Sequence, residues 1–306
     1  METQQLVYLG TPVEAVEPLR ALHRAGYEIP LVITRADARR GRRGKASASP
    51  VKEAALEMGL KVEHSLENVA TCGATRGVVV AFGQIIPASL LARVPMVNLH
   101  FSKLPRWRGA APIERAILAG DTETAVAIME MEAGLDTGPV HAMEPVEISQ
   151  DATADSLREK LVEVGTRLLV ETLNTGMVVP PVPQEGEPIY AAKITSLDRA
   201  LRSYEGVDMT LRRIRIGRAW TIFRGERFII WRAVRSAATT DQPPGSLFLH
   251  DGGVVVSVAD GAIELLEVQP AGKSRMESRA WWNGVQPEDE VLVGLPIDER
   301  ENDSRA

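Results

Sequence analysis

Short apolar runs alternate with helix-length amphipathic segments over residues 6–176, and that alternation allows few folds. LVYLGTP (6–12), EIPLVITRAD (28–37), GVVVAFG (77–83) and MVNLH (96–100) read as buried strands. Between and after them lie segments of helical period: VEAVEPLRALHRAG (13–26), SPVKEAALEMG (49–59), APIERAILAG (111–120) and TADSLREKLVEVGTRLLVETLNTG (153–176). The second has Ser49 as N-cap, Pro50 at the first helical position and Gly59 behind it. AVAIMEM (125–131) and PVHAMEPVEI (139–148) read as two more strands flanking a tight EAGLDTG loop. Strands alternating with helices predict an α/β unit with an open, mostly parallel, Rossmann-like sheet. The first strand ends in the single glycine Gly10 before Thr11 and Pro12, so G-x-G-x-x-G is absent and no dinucleotide is expected.

The pattern breaks at MVVPPVPQEGEPIY (177–190), whose four prolines predict a stiff exposed connector. Beyond it, short strands are separated by RGE, HDGG and ADG turns, the spacing of a small β-barrel or sandwich. The expected division is 1–178 for the first domain, 179–204 for the linker and 205–306 for the second domain.

Composition limits the partners. Cys72 is the lone cysteine, so no intramolecular disulfide can form. No apolar run approaches the roughly 20 residues that span a bilayer, and the chain reaches a strand-like run by Leu6. A cytoplasmic protein with no membrane partner is expected. Net charge is −6, yet Arg35, Arg39, Arg40, Arg42, Arg43, Lys45 and Lys52 face one acid, Asp37, within residues 35–52. A second cluster, Arg199 to Arg235, holds ten arginines and three acids. Each patch reads either as a solvated face or as a polyanion-binding one.

Candidate chemistry sits at the end of MVNLH. Residues two apart in a strand share a face with Cα atoms about 7 Å apart, so Asn98 and His100 point one way. They lie at the carboxyl end of the strand, where open α/β sheets place ligands. Asp136 sits between Gly134 and Gly138. An amide, an imidazole and a carboxylate form a set suited to acyl transfer, with Asn98 and His100 donating to a developing oxyanion and Asp136 orienting or charging the histidine. From spacing alone, a histidine near a strand end is more often a structural residue, and an aspartate between glycines more often a turn residue. The five histidines have no metal-ligand spacing, so no metal is expected.

The combination of N-x-H, then S-x-L-P-x-x-x-G, then L-D-T-G resembles the folate-dependent formyltransferases. LPRWRGAAPI is most similar to those whose acceptor is methionine on initiator tRNA. LGTP, the G-R basic loop before SPVK, VVVAFGQIIP, GDTETAVAIMEMEAGLDTG, YAAKI and VQPAGKSRM extend the likeness over most of the chain. The resemblance implies a transferase that moves the formyl group of 10-formyltetrahydrofolate, a co-substrate, to the α-amino group of methionine on initiator methionyl-tRNA in translation initiation. It implies direct attack by the amine, a tetrahedral intermediate stabilised by Asn98 and His100, and proton movement assisted by Asp136. It places the folate against Phe82, Gly83, Gln84, Ile85 and Ile86, against the turn with Ser102, Leu104 and Pro105, and against Gly134, Leu135 and Asp136. It places tRNA on Arg40, Arg42, Arg43 and Lys45 and on an OB-like β-barrel domain, where Arg212, Arg213 and Arg215 supply a basic face. A monomer is expected.

Three features depart from the family pattern. Phe101 replaces a small residue, Lys103 an apolar one, and RIGRAWTIFR (215–224) lacks the usual proline-rich segment. Three other readings stay open: a sugar-nucleotide N-formyltransferase, a formyltetrahydrofolate hydrolase, and a noncatalytic RNA-binding module.

Overall fold

The computed structural model describes residues 5–39, 46–202, 204–239, 241–287 and 291–292. The basic-loop residues Arg40, Arg42, Arg43 and Lys45 lie outside them. The elements run β1 (Gln5–Gly10), α1 (Val16–Arg24), β2 (Glu28–Ile33), β3 (Ala38–Arg39), β4 (Ala46–Ser47), α2 (Pro50–Glu57), β5 (Val62–Glu63) and β6 (Arg76–Val80). Then come α3 (Ala88–Leu91), β7 (Met96–His100), β8 (Arg106–Gly109), α4 (Pro112–Ala119), β9 (Glu123–Glu130), β10 (Val140–Glu147), α5 (Ala154–Asn174) and β11 (Ile189–Ala191). The last part holds α6 (Val207–Arg215), β12 (Ala219–Phe223), β13 (Glu226–Arg235), β14 (Leu247–His250), β15 (Gly253–Val258), β16 (Gly261–Pro270), β17 (Met276–Glu277) and α7 (Ser278–Val285). Two compact units result: Met1–Ile113 with Thr122–Ile148 and Ser156–Ala192, and Glu114–Asp121 with Ser149–Asp155 and Lys193–Ala306.

The first unit is built on a seven-stranded sheet of order β10-β9-β7-β6-β1-β2-β5. The pairs from β7 to β5 are parallel, and β9 and β10 are added antiparallel. The chain leaves β1 toward β5, then returns to build β6 and β7 on the other side. The carboxyl ends beside that reversal are where such sheets bind ligands. The central strands are buried on both faces, as their continuous apolar runs require. Ser49 caps α2 by accepting from the Lys52 amide at 3.0 Å, as its position predicts. Short strands β3 and β4 pair across the base of the basic segment.

Gly165 in α5 shows which face of β7 is filled by packing. A Cβ there would come within 2.8 Å of Leu99 and of Val126, so α5 lies tight against the Leu99 face. Asn98 and His100 point to the opposite face.

The second unit is an antiparallel sheet of order β12-β13-β16-β15-β14, with β17 on β16. Its hairpins obey the sequence signals: Arg224-Gly225 and Asp251-Gly252 both have positive φ at both turn residues, the geometry that matches strand twist in two-residue loops. Its core gathers Phe223, Phe228 and Trp281, whose rings lie 4.7–5.8 Å apart. The sequence predicts the strands but not α6 or α7, which pack against this core through Val207, Ile214, Trp281 and Trp282.

Candidate active site

Strand β7 delivers Asn98 half-buried and His100 buried. The imidazole is anchored by the turn that follows. His100 Nε2 lies 3.0 Å from the Trp107 carbonyl oxygen, which also accepts from Ser102 Oγ at 3.0 Å. A carbonyl only accepts, so Nε2 carries a hydrogen and Nδ1 is the free nitrogen. Asn98 makes no side-chain hydrogen bond among the described residues, which leaves its amide to the open face.

Asp136 reaches this face from the far edge. Glu130, the last residue of β9, pairs with Val97 near the start of β7. The following loop therefore folds back along the strand before Asp136 meets its neighbours. Asp136 Oδ2 accepts from the Gly109 amide at 2.7 Å and lies 3.8 Å from His100 Nδ1. At that distance it is an ion-pair partner for a charged ring rather than a hydrogen-bond acceptor. The ring's orientation is set by Trp107, a backbone contact that residue types in the sequence do not reveal. Asp136 itself has φ +52°, a left-handed conformation that aspartate tolerates better than most residues. Gly109 has φ +111°, and a Cβ there would meet the Ala191 carbonyl at 2.9 Å, so only glycine lets β8 bring its amide to Asp136.

The expected folate residues fall in two groups. Ile85 is 92 % exposed and Leu135 61 % exposed, with Gly83, Gln84 and Gly134 also on the surface. Phe82 is half-buried against the core that also holds Ile86. Ser102 and Leu104 are buried and Pro105 half-buried, so the first two shape the turn from within. Phe101, which looked anomalous, is buried, and Lys103 pairs with Glu123 at 2.6 Å on the surface.

The arginines of α6 separate. Arg213 is 7 % exposed and held bidentate by Glu205 at 2.7 and 2.6 Å, with a further bond to the Asp198 carbonyl at 2.5 Å. This corrects the sequence reading: a guanidinium committed inside the unit has no face for a phosphate. Arg212 is half-buried, its head against Gly120 and 3.4 Å from the Ala119 carbonyl. Arg215 donates to the Gln150 carbonyl at 2.6 Å, and burial, with the like charge of Arg212, pushes its guanidinium pKa down. Arg218, Arg224, Arg227, Arg232 and Arg235, which the sequence reading did not single out from the cluster, are exposed. Among the described residues no cluster of histidine, cysteine, aspartate and glutamate could hold a metal, and no helix is long and apolar enough to cross a membrane.

A Rossmann-like sheet carrying an amide, an imidazole and a carboxylate on one face, followed in the chain by an antiparallel sheet, is the arrangement to set against known proteins. The formyl transferase model matches residues 5–173, and the formyl transferase C-terminal domain model matches residues 191–286. The chain is 38 % identical over 303 residues to a methionyl-tRNA formyltransferase of Clavibacter sepedonicus, covering 94 % of this chain and 99 % of that protein. It is 40 % identical over 297 residues to one from Thiobacillus denitrificans, covering 92 % and 96 %. The chain therefore belongs to the formyl transferase family, within its methionyl-tRNA formyltransferase group. Solved structures share the fold at lower identity. Methionyl-tRNA formyltransferase from Clostridium thermocellum superposes with TM-score 0.58 at 15 % identity over 85 % of this chain and 99 % of that one. An N-formyltransferase from Helicobacter canadensis, crystallised with folinic acid and dTDP-3-aminofucose, gives 0.66 at 17 % over 87 % and 99 %.

Proposed function

We propose that this enzyme transfers the formyl group of 10-formyltetrahydrofolate to the α-amino group of methionine on initiator methionyl-tRNA. The observation that carries this is likeness along both units to proteins of that name, with Asn98, His100 and Asp136 brought to one face. The exposed apolar side chains of Ile85 and Leu135 suit a flat folate ring, and Gly83, Gln84 and Gly134 leave backbone groups open to it.

The residues divide the work as follows. Asn98 donates to the formyl oxygen as the amine adds to its carbon and charge builds there. His100 donates from Nδ1 when the ring is charged, and Asp136 is the counter-charge 3.8 Å away. The proton lost by the attacking amine passes through the Asp136 carboxylate to the departing folate nitrogen, so the transfer is proton-neutral. One oxyanion donor is worth about 3 kcal/mol and a positioned acid or base roughly 10²–10⁴ in rate.

The first unit, which takes in the proline-rich segment as far as Ala192, carries the chemistry in this reading, and residues 205–306 bind tRNA together with the Arg40, Arg42, Arg43 and Lys45 loop. Arg212 and Arg215 stay on that face, joined by Arg218 and Arg224. The working unit is taken as one chain, acting in the cytoplasm. The test follows formyl-labelled folate in the presence of methionyl initiator tRNA, a nucleotide amino sugar, or neither. Label on methionine is the expected result; label only on the sugar or in free formate would overturn the reading.

A further inference from the structure

The proline-rich segment after α5 is largely exposed, but it is stitched to the first unit at three places. Val140 and Val182 exchange backbone hydrogen bonds, both 2.8 Å. Strand β11 pairs in parallel with β8. Between these, half-buried Gln184 makes four side-chain hydrogen bonds. Its Oε1 accepts from Arg108 Nε at 3.0 Å and Nη2 at 2.7 Å. Its Nε2 donates to the carbonyl of Asp136 at 2.9 Å and to that of Gly138 at 2.8 Å. Arginine only donates and a backbone carbonyl only accepts, so the amide can lie only one way round. The two carbonyls bracket Thr137 and fix the turn that holds Asp136 at positive φ. The next residue after Arg108 is Gly109, whose amide holds the Asp136 carboxylate. One short strand thus grips the main chain of Asp136 through Gln184 and its side chain directly.

We propose that Gln184 is a positioning residue for the formyl transfer, locking the Asp136 turn so that the carboxylate faces His100. The inference rests on the reading of Asp136 as a site residue. Glu132, Ala133, Gly134 and Leu135 are exposed, so the loop tip has little packing to hold it. A shift of about 1 Å in a reacting group can cost about 10² in rate. A glutamate at position 184 would keep the size and the Arg108 contact, but it would set a carboxylate against two carbonyls. Glutamine is the residue that joins a donor-only partner to acceptor-only ones.

The test compares full-length wild type, Q184E, Q184A and D136A in steady-state formylation of methionyl initiator tRNA, with pH profiles and melting temperatures. Q184E is expected to melt near wild type, to lose roughly 10–100-fold in kcat with KM for tRNA changed less than about threefold, and to alter the pH profile of kcat. In the D136A background Q184E is expected to cost nothing further, because two residues that act as one unit are non-additive. A kcat for Q184E within about twofold of wild type, or a loss that persists undiminished on top of D136A, would overturn the proposal. So would a loss tracking only a lower melting temperature. If Q184A does not fold, Q184E decides. Near-normal turnover in D136A would instead overturn the reading of Asp136 itself, which keeps the two failures distinct.

Discussion

The face of β7 and the arginines of α6 drew attention for the same reason, an unusual concentration of polar residue types, and the structure treats them oppositely. In the first unit, groups from three separate stretches, at 98 and 100, at 136 and at 184, converge, and backbone groups at Trp107, Gly109 and Gly138 hold three of them. In the second, neighbours in the chain diverge: Arg213 turns inward to Glu205 while Arg212 reaches the Ala119 carbonyl. Geometry explains the contrast. A strand returns to the same face every second residue, so an N-x-H pair must share a side. A helix turns about 100° per residue, so adjacent arginines must point apart. Counting charges in a helical or mixed stretch measures composition, and direction has to come from period and packing.

The largest effect expected from that contrast is on turnover. His100→Ala and Asp136→Ala should each lower kcat by roughly 10²–10⁴ with little change in melting temperature. Stopped turnover with an intact thermal transition would sharpen the distinction between a site assembled for chemistry and residues assembled for stability. Turnover within a few-fold of wild type in either variant would erase it.

Arg213→Ala should do the reverse. Both partners of the Arg213–Glu205 pair have side chains only 9 % exposed, so truncation leaves a buried carboxylate with the weaker Arg202 contact at 3.6 Å. The expected cost is about 3 kcal/mol in urea unfolding, with the salt dependence of tRNA use unchanged. A variant of normal stability whose log–log salt slope falls by about one would mean that Arg213 meets a phosphate after all.

These cases show where the sequence was informative. The alternation of strands and helices foretold the sheet, Ser49 foretold its cap, and RGE and HDGG foretold turns between strands. Strand period put Asn98 and His100 on one face, but the parts proposed for them and for Asp136 came from the likeness to the formyltransferases, because spacing alone left the structural readings open. The anchors were not. Trp107 acts through its carbonyl, Gly109 through its amide, and Gln184 through an amide side chain among prolines, none of which composition distinguishes. Helix α6 escaped notice because its charged residues outweigh the apolar stripe of Val207, Leu211 and Ile214 that packs on the second unit's core.

The smallest expected effect concerns Asp198, also in the second unit, and it separates a structural charge from a functional one by pH alone. Its carboxylate accepts from Arg115 at 2.7 and 3.1 Å and from the Thr195 amide and hydroxyl at 2.8 and 3.0 Å. Burial works against its charge, but these donors outweigh burial and hold its pKa below the ordinary aspartate value. A lowered folded pKa means the contribution is fully present above the unfolded value, near about 3.9, and is lost as pH falls through the folded one. Asp198→Asn, which keeps shape and one acceptor, should therefore cost about 1 kcal/mol from pH 5 to 7, and the gap to wild type should close as pH drops below about 4. Thermal melts of both proteins across that range measure it. A gap that stays constant into acid would show that Asp198 contributes through shape and hydrogen bonds alone, and a drop in kcat at unchanged melting temperature would move it from the structural arginine network to the site.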